Sequence, residues 1–182
     1  MASEVALAAA RGDTEALRAL QPPTWDDALT WAAFAGQLRA VQWLVHQGAD
    51  VNAADLHGRT PAYWAARMGH LSVLQWITGQ GADALRAETS SPHFTPLEAA
   101  VWKGQLPVLQ WLLYGAASAA VQGPMMRLLH SRPQLCRAAV GGHQEVAEWL
   151  VEHGSQVHST AATLPRTTLS PSLTYPPRRA HR

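Results

Sequence analysis

Asp55 to Ala87 reads D-L-H-G-R-T-P-A-Y-W-A-A-R-M-G-H-L-S-V-L-Q-W-I-T-G-Q-G-A-D-A-L-R-A, and each piece of it has a conformational meaning. Asp55-Leu56-His57-Gly58 is turn chemistry, with Gly58 free to take a positive φ and Asp55 able to bond nearby backbone. Thr60 predicts a helix cap and Pro61 fits the first turn, where no amide donor is needed. Ala65 and Ala66 let helices approach closely. Gly69 ends the first helix, His70 leads into a second, and Val73, Leu74, Trp76 and Ile77 give that helix an apolar stripe. Gly81-Ala82-Asp83 closes the unit.

The phrase recurs. The second helix reads A-V-Q-W-L-V around Trp43, V-L-Q-W-I-T around Trp76, V-L-Q-W-L-L around Trp111 and V-A-E-W-L-V around Trp149, at spacings of 33, 35 and 38 residues. Such a period is the signature of a solenoid, whose units bury their apolar faces only against neighbours. Aligning Gly12, Gly36, Gly69, Gly104 and Gly142 gives five units, near 3–23, 24–54, 55–87, 88–121 and 122–158. Together they make one domain over 1–158. Ser3 to Leu20 reads as a polar N-terminal cap. Residues 159–182 hold four prolines, many Ser and Thr, and no periodicity, the composition of a disordered tail.

The joint recurrence of T-P, Ala-Ala, G-H and G-A-D in this order resembles the ankyrin repeat. The resemblance implies an all-α solenoid of about five helix-turn-helix units joined by short β-finger turns. It departs from the family where a histidine follows T-P-L: Thr30, Tyr63, Glu98 and Cys136 stand there instead, so that residue's usual bonds must be made otherwise or lost. His70 and His143 match the family's G-H and are expected to bond locally at the helix junction; His153 and His158 are expected at a helix end and beyond it.

Composition excludes several classes. The chain is 47% hydrophobic and 15% charged, with net charge +1. The tail carries Arg166, Arg178, Arg179 and Arg182 without an acid, leaving ten basic and thirteen acidic residues, a net −3, in 1–158. The folded part therefore offers no nucleic-acid footprint, and no apolar run approaches the ~18 residues of a membrane span. A single cysteine, Cys136, fits a reducing compartment, so cytoplasm or nucleus is expected. Nine histidines show no ligand spacing for a metal, and no phosphate loop, hydrolase elbow or acid–base pair emerges. No catalytic residue, metal or cofactor is expected. Adjacent Asp26 and Asp27 read as helix-start charge.

By the resemblance, the two residues before each inter-helix glycine face a concave groove that grips protein partners, together with the finger tips. Phe34, Met68 and Trp102 would form an apolar row there, with Arg11, Arg67 and Lys103 beside it. Leu56, His57 and Arg59 join from one finger, His93 and Phe94 from the next. These types are enriched in interface hot spots. The tryptophans of the second helices, and Trp31 and Trp64 in the first, read as inter-repeat packing. The expected function is a non-catalytic scaffold, adaptor or inhibitor; a regulatory or targeting subunit of an enzyme complex is the alternative. The partner would carry apolar anchors and some acidic character. Asn52, in A-D-V-N, is by the resemblance a possible hydroxylation site.

Overall fold

Helices alternate with corners along the whole described chain. The computed structural model describes residues 2–20, 25–82, 95–116 and 137–158. The helices are α1 (Ala2–Arg11), α2 (Thr14–Leu20), α3 (Asp26–Phe34), α4 (Leu38–His46), α5 (Pro61–Met68), α6 (Leu71–Gly79), α7 (Pro96–Trp102), α8 (Leu106–Trp111) and α9 (Gln144–His158). Residues 137–140 are helical too, and α8 runs on as a π-turn, Leu112–Ala116. Among the described residues there is no strand; the fingers are turns. Asp55–Arg59 is closed by Asp55 N–H to Arg59 O (3.0 Å) and Gly58 N–H to Asp55 O (2.8 Å).

The starts and stops fall where local chemistry puts them. Thr60 Oγ1 accepts from Tyr63 N–H at the start of α5 (3.3 Å), and Thr95 Oγ1 from Glu98 N–H at the start of α7 (3.1 Å). Each such cap contributes ~1 kcal/mol. Gly69 closes α5 in the left-handed region, at φ 80°, which other L-residues reach only at a cost of about 1–2 kcal/mol.

First helices pack on first helices in the order α1, α3, α5, α7, and each pairs with the second helix that follows it. Small residues permit this: Ala9, Ala32, Ala33, Ala65, Ala66 and Ala100 are wholly buried. Leu17, Leu29, Val41, Leu44, Val73, Leu74, Ile77, Val108, Leu109 and Leu112 fill the space between the two rows. The second-helix tryptophans behave as packing residues. Trp43, Trp76 and Trp111 are half-buried against the core and Trp149 is 8% exposed.

Two expectations need correction. His70 and His143 do not bond locally: Nε2–H of His70 donates to Phe34 O (3.1 Å) and that of His143 to Trp102 O (2.9 Å), each one layer back. Gln37 Nε2 does the same to Ala10 O (3.2 Å). These side chains lie where a Cβ on the preceding corner glycine would be, so the glycine serves the close approach as well as the turn. Second, α9 continues through Gly154 and Ser155 to His158, placing His158 at the helix end. A glycine inside a helix costs only ~1 kcal/mol and does not by itself stop one.

Candidate functional site

The first helices carry an aromatic ladder on their exposed face. Trp31 meets Phe34 edge-on at 5.7 Å, and Phe34 meets Trp64 at 5.3 Å. The Arg67 guanidinium lies 5.2 Å from the Trp64 ring and 5.2 Å from the Trp102 ring, bridging the third and fourth layers. Edge-to-face pairs contribute about 0.5–1.5 kcal/mol beyond burial, and exposed cation–π contacts about 0.5–1 kcal/mol. The ladder is held in place yet open: Trp31 is 45% and Trp102 51% exposed.

Sequence position explains which residues share the face. Phe34, Arg67 and Trp102 each stand two residues before a corner glycine, with Ala10 and Val140 in the same register. Three residues earlier, one turn back on the same face, stand Leu7, Trp31, Trp64, Ala99 and Arg137. Leu7, Trp31, Met68, Trp102 and Val140 are all exposed. Leu7, Trp31, Trp102 and Val140, four of the eight large exposed apolar side chains among the described residues, therefore share this register; Met68 stands one residue further on, and Leu56 lies at the finger tip.

The third finger leans over the start of this ladder and encloses a cleft of about 700 Å³. Trp31, Phe34 and Trp64 form its aromatic walls, Leu56, His57 and Arg59 its finger side, and Asp27 and Asp55 its carboxylates. Asp55 organises the finger. Its Oδ1 accepts from the N–H groups of His57 (2.8 Å) and Arg59 (3.0 Å), and its Oδ2 takes the Arg59 Nε at 2.7 Å. Trp64 Nε1–H reaches the same Oδ2 at 3.4 Å, while the Arg59 guanidinium stacks 4.5 Å over the Trp64 ring. Burial pushes the Asp55 carboxyl up, but the amides of Arg59 and His57 and the Arg59 charge outweigh it and hold it below its ordinary value.

The expected site residues separate into three groups. Phe34 is half-buried in the ladder, Met68 and Trp102 are exposed beside it, and Leu56 and His57 stand open on the finger. Arg11 and Lys103 are exposed at the ends of their helices. Arg59 and Arg67 are not free cations beside the row. Arg59 is neutralised by Asp55, and Arg67 donates to the Tyr63 hydroxyl (3.3 Å) while spanning the rings. His93 and Phe94 lie outside the described residues.

Trp64 does pack between layers, edge-on to Phe34, and lines the cleft as well, whereas Trp31, expected in the packing, is exposed on the cleft wall; counting back one turn from the glycine-minus-two row would have found them, with Leu7. Where the family has its histidine, three of the replacing residues make different bonds. Tyr63 takes Arg67, Thr30 Oγ1 donates to Asp26 O (3.1 Å), and Glu98 takes Arg137 of the next layer (3.1 Å). Cys136 lies outside the described residues. Asp26 and Asp27 do open α3; Asp26 Oδ1 also accepts from Asp50 N–H (2.9 Å). Asn52 is exposed, and its carboxamide donates to Gly81 O (3.2 Å).

The family model described as "Ankyrin repeats (3 copies)" matches residues 5–87 and 29–122, which is more than half of the chain. The chain belongs to the ankyrin-repeat family. Comparison with curated proteins returns no match. Ankyrin repeats are in general protein–protein interaction modules, typically without catalysis of their own. In this ankyrin-repeat protein, no helix of the described residues is long and apolar enough to cross a membrane.

Proposed function

We propose that this protein is a non-catalytic recognition module that grips a protein partner across its first-helix face and third finger, acting as a scaffold, adaptor or inhibitor in the cytoplasm or nucleus. The observation that carries the reading is the aromatic ladder from Trp31 through Phe34 and Trp64, continued by Arg67 to Trp102, with Trp31 and Trp102 half in solvent. A monomer scatters single exposed apolar residues, whereas a contiguous set marks a docking face. The frame is rigid before binding, because the ladder and the Asp55 finger are already bonded, and pre-ordering lowers the entropic cost of association. A peptide segment with one large apolar anchor suits the cleft. Arg11 and Lys103, each exposed one residue before a corner glycine, favour acidic residues in the partner.

Proximity labelling in cells with the intact chain and with Trp102→Ala tests this directly. A specific set of neighbours lost with Trp102→Ala, at equal protein level, is expected. Identical neighbour sets for both would overturn it.

A further inference from the structure

Trp31 and Trp64 stand in one register, each five residues before a corner glycine, Gly36 and Gly69. Around Trp64 three parts come together. The Arg59 guanidinium lies 4.5 Å from the ring centroid, and Asp55 Oδ2 takes Arg59 Nε at 2.7 Å. The ring attracts the cation through its quadrupole, and the carboxylate fixes it there. Arg67 sets a second guanidinium between rings, 5.2 Å from that of Trp64 and 5.2 Å from that of Trp102.

Trp31 has the ring and the carboxylate but not the guanidinium. Asp27 lies one helical turn before it on α3, an i,i+4 spacing that makes the two side chains surface neighbours. Both line the cleft under the third finger, where Phe34 meets Trp31 edge-on at 5.7 Å. Trp31 is half in solvent and Asp27 is exposed. Among the described residues Asp27 makes no hydrogen bond or ion pair, and Trp31 no cation contact. The finger that delivers Arg59 to Trp64 has no counterpart here, since residues 19–38 contain no Lys, Arg or His. Asp55 and Arg59 neutralise each other, so Asp27 is the uncompensated carboxylate of the cleft wall. Helix-start charge accounts for a carboxylate at this place, but not for the open indole beside it.

We infer that this corner of the cleft is a cation subsite, and that its occupant is an arginine side chain of the protein partner, stacked on the Trp31 indole with its guanidinium on the Asp27 carboxylate. Resting on the recognition reading above, this places the arginine beside the apolar anchor in one cleft; about 700 Å³ takes a ligand larger than a single side chain. The planar, weakly hydrated guanidinium suits the subsite better than an ammonium, because it can lie against an indole while its N–H fork meets a carboxylate. Arg59 already does so between Trp64 and Asp55.

The test selects short random peptides, displayed on phage, against the full-length chain. The recovered peptides are expected to share an arginine next to a large apolar residue. One of them is then titrated by calorimetry. Citrulline in place of its arginine, which keeps the shape and removes the charge, should weaken binding about tenfold, as should Asp27→Asn in the chain. The two changes together should cost little more than either alone, because they break one contact. Trp31→Ala should weaken binding by about as much again. Both positions are exposed, so a thermal melt should find the variants folded, and the citrulline comparison needs no variant of the chain. Peptides recovered without a shared arginine, or bound equally well by Asp27→Asn, overturn the subsite and leave the recognition reading standing. Recovery of no peptide also overturns the subsite, while the neighbours lost or kept with Trp102→Ala decide the recognition reading separately. Tighter peptide binding once Arg166→Gln, Arg178→Gln, Arg179→Gln and Arg182→Gln are combined would give the subsite to the chain's own tail and overturn its assignment to a partner.

Discussion

Tryptophan does two opposite jobs in this molecule, and the helix it sits on decides which. In the second helices Trp43, Trp76, Trp111 and Trp149 lean on the core; Trp43 also meets Trp25 edge-on at 5.2 Å. In the first helices Trp31 and Trp102 stand half in solvent. The same residue type is packing in one row and surface in the other. The difference teaches that a repeat frame assigns roles by register. Once the corner glycines are aligned, the position of a side chain relative to them tells more than its chemistry does.

Breaking the two rows should therefore give opposite phenotypes. Trp149→Ala is expected to have the largest effect on stability, about 3–5 kcal/mol lost in denaturant titration, because it empties the most buried indole. Trp102→Ala is expected to leave unfolding within ~1 kcal/mol of the parent while costing at least about 2 kcal/mol of partner affinity, roughly thirtyfold, measured by calorimetry. Equal loss of stability in both variants would erase the distinction. Between these sits Gly36→Ala, which should lose about 1–2 kcal/mol through the left-handed backbone alone and also displace His70 from Phe34 O.

The smallest effect sharpens the cleft rather than the rows. Asp55 has its folded value lowered by the amides of His57 and Arg59 and by the Arg59 charge, so its contribution is present above the unfolded carboxylate value. It is lost as pH falls through the folded value. Asp55→Asn should accordingly melt earlier than the parent near neutral pH, and the gap should close in acid. Thermal melts across that range check the sign; a gap that widens in acid would contradict it.

The frame was legible because its signals are local. Thr60-Pro61, the Ala65-Ala66 pair and the Gly69 corner each act on backbone within a few residues, and the described helices begin and end there. The site was half legible. The rule that the two positions before each glycine face the groove located Phe34, Met68 and Trp102, but Trp31 and Trp64 read as inter-repeat packing because a large indole inside an Ala-rich helix is ordinarily buried. Arg59 and Arg67 read as free charges because their partners, Asp55 and the rings of Trp64 and Trp102, meet them only in three dimensions. The bonds of His70 and His143 reach 36 and 41 residues back, beyond what spacing within one unit can reveal.

The claim that the first-helix face is the gripping surface can be read from the indole N–H resonances of the nitrogen-15-labelled chain as the partner recovered by proximity labelling is added. Trp31, Trp64 and Trp102 should shift or broaden together while Trp43, Trp76 and Trp111 stay in place. Movement confined to the second-helix indoles would contradict the account.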